Sequence, residues 1–378
     1  MVKKIFLILL AIIISSSNIS YANEINSRKY IVYDRNSGIK VMGKNEDKET
    51  PMASTTKIMT ATVVLENCSN LNKEVEVGQR AAGIGGSKLG LKKGDKITIR
   101  DLLFGLLLRS GNDCAIQLAE EISGSVEDFI KLMNDKAKEL NLKDTHFVTP
   151  HGLDDPKHYT TAYELAKITD YSLKNNVFAS IVQTKYATIR INNQAREIKN
   201  TNELLMSNIE GIYGVKTGFT NLAGRCLVTA IKKDNMDLII VTIGADTKKD
   251  RGKDTIELIK EITEKYRKVN IEEIAQNAFL EWKNINMNRI IVERGNSKID
   301  LKLGKCEPKE IITNSEITTE INSISYKKAP ILKNEKVGEL IVKNGSDTLE
   351  TIEIFNTKDV KRRNVMDYIR IFAKEYTC

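Results

Sequence analysis

The stretch PMASTTKIMT, Pro51 to Thr60, sets a serine and a lysine three residues apart, and the run TTKIMTATVVLE repeats apolar residues at helical intervals. Two roles are open to Ser54. As a helix N-cap its hydroxyl would accept a bond from an orphan backbone N–H. As a nucleophile it would give its proton to Lys57, which at i+3 lies one turn away on the same face, provided that burial keeps the amine neutral. Two more polar clusters stand in apolar surroundings. Ser110-Gly111-Asn112 interrupts LLLRSGNDCAIQLAE, and by itself reads as a helix break or cap, since Ser, Gly and Asn are all poor helix residents. Lys216-Thr217-Gly218, inside IYGVKTGFTNLAGRC, places a cation and a hydroxyl at a strand end just before a hairpin signal.

Each cluster alone is ordinary, but their order is informative. S-x-x-K, S-x-N and K-T-G follow one another, with Ser110 56 residues after Ser54 and Lys216 106 after Ser110. That leaves room for intervening helices to fold back and bring all three to one cleft. With S-D-N in the middle, this set is the signature of class A β-lactamases and penicillin-binding proteins. The three histidines, His146, His151 and His158, fall in one thirteen-residue stretch without G-x-S-x-G or H-E-x-x-H, and are read as structural.

With these motifs the sequence resembles the D-alanyl-D-alanine carboxypeptidases, the low-molecular-mass penicillin-binding proteins. The likeness extends through GSKLGLKKGDKITIRDLLFGLLLRSGNDCAIQLAE, THFVTPHGLDDPKHYTTAYELA, NTNELL and KTGFTNLAGRCLVTA, and APILKNEKVGELIV resembles the family's C-terminal β-domain. The resemblance implies a serine-type carboxypeptidase that removes the terminal D-alanine of peptidoglycan stem peptides ending in D-Ala-D-Ala, takes β-lactam antibiotics as covalent inhibitors and needs no cofactor or metal. It implies Ser54 as nucleophile, Lys57 as general base, Ser110 as proton relay, and Asn112 as a partner of Lys57 and the substrate amide. Lys216 and Thr217 would bind the terminal carboxylate, Gly218 would let the substrate backbone lie close, and the backbone N–H of Phe219 would be the second oxyanion donor. Arg251 matches a family arginine that helps hold the carboxylate; its other reading is a solvated charge at a helix start. Two rivals remain. A β-lactamase-like hydrolase would want a deacylating glutamate, and THFVTPHGLDDP offers none; a non-catalytic wall-binding protein would have no reason to keep Ser54 and Lys57.

The elements that must position these residues follow from pattern. KYIVYD and IKVMGK flank RNSG as a hairpin; helices are expected over Thr55 to Glu66, Arg100 to Ile122, Ser125 to Leu140 with Ser125 as cap, and Thr161 to Lys174. GRCLVTAI and LIIVTIGA form a second hairpin across KKDNM, and DTIELIKEITEKY a further helix. Strands at both ends of a helical block give an α/β (α+β) class: an antiparallel sheet flanked by helices, followed by a small all-β domain. The expected divisions are a signal peptide over 1-22, a catalytic domain over 23-268, a β-rich domain over 269-357 and an amphipathic helix over 358-378. The leader MVKKIFLILLAIIISSSNISYANE carries two lysines, a run of ten apolar residues and a small-residue site, so an extracytoplasmic location is expected. The formal charge of +8 becomes +6 without Lys3 and Lys4, a modest excess with no dense basic run interleaved with aromatics, which argues against nucleic acid. Five scattered cysteines suggest neither a disulfide framework nor a metal site, and Cys114 and Cys226 read as core. In the tail, Val365, Tyr368, Ile369, Phe372 and Tyr376 share one helical face beside basic residues, which suits a membrane surface.

Overall fold

The computed structural model describes residues 25–307 and 309–375; the expected signal peptide, Tyr376 and Cys378 lie outside them. The chain divides into two compact units. Among the described residues, the first comprises 25–33, Met42–Ile231 and Ile239–Lys260; the second comprises Asp34–Val41, Lys232–Leu238 and those from Glu261 on.

The helices are α1 (Lys57–Asn67), α2 (Gln79–Gly83), α3 (Ile99–Leu108), α4 (Asn112–Ser123), α5 (Val126–Glu139), α6 (Ala162–Leu173), α7 (Asn176–Gln183), α8 (Lys248–Lys265), α9 (Ile271–Asn286) and α10 (Val365–Glu375). The strands up to α8 are β1 (Lys29–Asp34), β2 (Ile39–Lys44), β3 (Glu74–Glu76), β4 (Lys96–Thr98), β5 (Tyr186–Ile191), β6 (Gln194–Lys199), β7 (Ile212–Thr220), β8 (Gly224–Lys233) and β9 (Met236–Ala245). An antiparallel sheet of order β2-β1-β9-β8-β7 runs through the site-bearing part of the molecule. Its inner strands β8 and β9 are apolar on both faces and almost wholly buried, which is what a strand covered on both sides requires. The β8–β9 turn uses Asp234 and Asn235 at φ 50° and 62°, the two left-handed residues a tight hairpin needs. β7, carrying Lys216-Thr217-Gly218, is an edge strand.

Two expected elements change shape, and both changes concern the site. Ser54 is not a cap. It lies in a 3-10 turn, Ala53–Thr56, directly ahead of α1, and neither Met52 nor Thr56 makes a side-chain cap bond. The single helix expected over Arg100 to Ile122 is two helices, because Ser110 turns left-handed at φ 60° and Gly111 is extended. A side chain at Gly111 would sit 2.7 Å from the Asp113 carboxylate and 2.9 Å from Cys114 Sγ, so the break needs glycine there. Ser125 caps α5 as expected, accepting from the Asp128 backbone N–H, and Thr161 caps α6, accepting from that of Glu164.

In the second unit, β10 (Arg267–Asn270), β11 (Ile291–Glu293), β12 (Leu301–Leu303), β13 (Glu310–Thr313), β14 (Ile317–Ser323), β15 (Tyr326–Lys328), β16 (Lys336–Asn344) and β17 (Asp347–Asn356) form small sheets, the largest of order β12-β17-β16-β14. The β-rich texture is there, with one element the sequence reading left out: α9, capped by Asn270, buries Ile271, Ala275 and Phe279 in the same core as Leu340, Val342, Ile352 and Ile354. Cys68, Cys114, Cys226 and Cys306 are free thiols.

Candidate active site

Lys57 is fully buried, and its Nζ lies 3.0 Å from Ser54 Oγ, 2.8 Å from Asn112 Oδ1 and 2.7 Å from the His151 carbonyl oxygen. Burial, reinforced by the nearby Lys216 charge, holds this amine well below the ordinary lysine value of 10.5. A neutral amine has two N–H donors and one lone pair. The Asn112 and His151 carbonyls accept from the two N–H groups, which leaves the lone pair for the Ser54 hydroxyl proton. The same contacts that satisfy the buried lysine thus aim it at the serine.

Each partner is held in turn. Asn112 Nδ2 donates to the Gly85 carbonyl at 2.8 Å, and its backbone N–H to Ser87 O at 2.8 Å. The loop bearing Gly85 and Ser87 is organised by Asp113, whose buried carboxylate accepts from the backbone N–H groups of Leu89, Gly90 and Leu91 at 2.9, 2.7 and 3.0 Å. Gly218 lies against the 3-10 turn: a Cβ there would be 3.2 Å from Ser54 N and 3.2 Å from Ala53 Cβ. Its lack of a side chain therefore serves the close approach of β7 to the turn.

Ser54, Ser110, Thr217, Gly218, Phe219 and Arg251 line a cleft of about 560 Å³. Lys57 and Asn112 sit behind its wall, as does Lys216, which is 1% exposed, donates to the Thr217 carbonyl at 3.0 Å and is pushed down to about 7 by burial and by Arg251. The Lys216 charge is thus placed to act on Lys57, while Thr217 and Arg251 offer the groups facing the cleft. Thr217 Oγ1 is 2.9 Å from Thr201 Oγ1. Arg251 is 5% exposed and its Nε is buried without a hydrogen-bond partner, so the reading of a solvated helix-start charge is overturned. Phe219 is half-exposed, with the Arg225 guanidinium 3.6 Å from its ring centre.

Several contributors were not foreseen from sequence. Asp113 and the Gly85–Ser87 loop hold Asn112, the His151 carbonyl holds Lys57, and Lys199, Asn200 and Thr201 bring the end of the β5–β6 hairpin to the cleft. That hairpin had a signal in Asn192-Asn193, both left-handed at φ 52° and 62°. His151 acts through its main chain, which no side-chain pattern announces.

The profile of the D-alanyl-D-alanine carboxypeptidase family matches residues 16–247. The D-alanyl-D-alanine carboxypeptidase DacF of Bacillus subtilis (strain 168) is 30% identical over 361 residues, covering 93% of this chain and 90% of the relative. Among solved structures, penicillin binding protein 5 from Haemophilus influenzae superposes with a TM-score of 0.67 at 27% identity, over 90% of this chain and 98% of that one. The Streptomyces K15 DD-transpeptidase superposes with a TM-score of 0.60 at 32% identity, over 63% of this chain and 97% of that one. With the family profile covering more than half of it and its motifs assembled in one cleft, the chain belongs to the D-alanyl-D-alanine carboxypeptidases, a family of serine hydrolases.

Proposed function

We propose that this enzyme removes the terminal D-alanine from peptidoglycan stem pentapeptides through an ester on Ser54, and that penicillins acylate the same hydroxyl. The observation that carries the reading is the buried Lys57 amine 3.0 Å from Ser54 Oγ with two carbonyls on its remaining hydrogens. Lys57 takes the hydroxyl proton as Oγ attacks the carbonyl carbon of the D-Ala-D-Ala bond. The backbone N–H groups of Ser54 and Phe219 receive the developing oxyanion, and the proton passes by way of Ser110 to the leaving nitrogen, which departs as D-alanine. Water then attacks the ester, releasing the shortened peptide and restoring Ser54. Thr217 and Arg251 bind the terminal carboxylate, while Lys216 depresses Lys57 from behind the cleft wall.

The test is covalent labelling of the mature protein by a fluorescent penicillin. The wild type should label and release D-alanine from a pentapeptide; Ser54→Ala should do neither while melting within a few degrees of wild type. Labelling of Ser54→Ala would assign the nucleophile to another serine.

The leader and the tail support an extracytoplasmic enzyme held at the membrane surface. α10 leaves Val365, Met366, Ile369 and Phe372 more than half exposed, and among the described residues no helix is long and apolar enough to cross a membrane. An amphipathic helix preceded by Lys361, Arg362 and Arg363 suits an anionic lipid interface. The mature chain should bind anionic vesicles and a truncation after Thr357 should not; equal weak binding by both, with earlier melting of the truncation, would make the tail a strut.

A further inference from the structure

Ala53, the residue ahead of the nucleophile, has φ 47°, in the left-handed region that a side chain with a Cβ rarely adopts. The Ala53 carbonyl and the Ser54 N–H are two ends of one peptide unit, so whatever fixes the carbonyl also fixes the direction of that N–H. Two groups meet the carbonyl, and a third holds one of them. Thr56 Oγ1 lies 2.7 Å from Ala53 O, Thr56 Oγ1 is 2.8 Å from His158 Nε2, and Gly152, at φ 84°, packs so closely that a Cβ would come 1.9 Å from the same oxygen.

The direction of the chain of bonds follows from the histidine. Val148 N–H donates to His158 Nδ1 at 3.0 Å, so Nδ1 carries no proton and the neutral ring holds it on Nε2. Nε2–H therefore donates to Thr56 Oγ1, and the threonine hydrogen is left for the Ala53 carbonyl. All three residues are buried, and the ring packs edge-on against Phe147 at 5.8 Å between centres. A donor on a carbonyl also polarises its peptide and strengthens the N–H at the other end.

We propose that Thr56 and His158 form a positioning relay that locks the Ala53–Ser54 peptide with its N–H turned into the cleft as an oxyanion donor. Neither side chain touches substrate; they act through the backbone of the nucleophile. The proposal rests on the acyl-enzyme reading given above.

The experiment measures acylation of the full mature chain by a fluorescent penicillin, and affinity for a peptide boronic acid whose tetrahedral adduct places an oxygen where the oxyanion forms. Thr56→Val keeps the side-chain shape and removes the hydroxyl. Complete loss of one oxyanion donor costs about 10²–10³-fold, so a loosened donor should slow acylation about tenfold and weaken boronate binding by a similar factor. Thr56→Ser should restore both to within about twofold, and adding His158→Phe to Thr56→Val should cause no further loss. His158→Phe alone, which keeps an aromatic ring against Phe147 without a donor, provides a second route should Thr56→Val fail to fold, with the same tenfold loss expected. Acylation at the wild-type rate in Thr56→Val or His158→Phe, or Thr56→Ser as slow as Thr56→Val, overturns the relay. A wild type that does not label at all overturns the acyl-enzyme itself.

Discussion

The first unit buries Lys57, Lys216, Asn112, Asp113 and Arg251 and holds Ala53 and Ser110 at positive φ, whereas the core around Leu340 in the second is built from apolar side chains with charges paired on its surface, as in Lys343–Glu320 at 2.7 Å and Lys336–Glu353 at 3.1 Å. Buried charge and left-handed backbone both cost stability. Around Ser54 the two occur together, and the surrounding helices and sheet over-determine the geometry enough to hold them. Among the described residues from Glu261 on, the buried polar side chains are Thr313 and Asn356 and none is charged, while the left-handed Arg294 and Asn334 lie exposed.

The sharpest break of this contrast is Lys57→Met. Removal of the base should slow penicillin acylation by about 10³-fold, within the range of general-base catalysis, while stability falls by only about 1–3 kcal/mol, since an apolar chain of similar length fills the space but leaves the Asn112 and His151 carbonyls without the amine's N–H donors. A melt as damaged as the chemistry would make Lys57 a structural residue. Leu340→Ala is the opposite case. Its cavity should cost about 3 kcal/mol in the unfolding of the second unit and leave kcat within about twofold, measured by denaturation alongside D-alanine release. A large kcat loss there would mean that the β-rich unit shapes the cleft.

Asp113→Asn lies between the two. The amide turns an N–H₂ towards backbone N–H groups of Leu89, Gly90 or Leu91, so both stability, by about 2 kcal/mol, and kcat should fall, because Asn112 depends on that loop. The smallest effect is expected from Lys216→Met. Its positive charge lowers Lys57, so its removal raises Lys57, and the acid limb of the acylation rate should move to higher pH. An acid limb that stays in place while KM for the peptide rises would return Lys216 to direct carboxylate binding.

Legibility differed from residue to residue. The β1–β2 and β8–β9 hairpins, the Ser125 cap and the three motifs stood in the sequence because each depends on neighbours within a few positions: turn residues, a hydroxyl three residues from an N–H, a serine one turn from a lysine. α9 was hidden because IEEIAQNAFLEWKNIN sits among short strands, and the β5–β6 hairpin because its sparse burial blurs the alternation. The break after α3 was visible as poor helix residues, but that Ser110 would adopt φ 60° was not.

By itself the sequence determined which groups are available: a serine, two lysines, an asparagine and an arginine in an order that resembles one family, on elements whose periodicity is local. Only the tertiary structure decided their roles. Whether Lys57 is a surface cation or a neutral base depends on how much water the fold removes around it and on which carbonyls it meets, among them that of His151, 94 residues further along the chain. Whether Lys216 touches the cleft or acts from behind it depends on the same packing. Desolvation and charge proximity are properties of position in three dimensions, and a pKa is set by both.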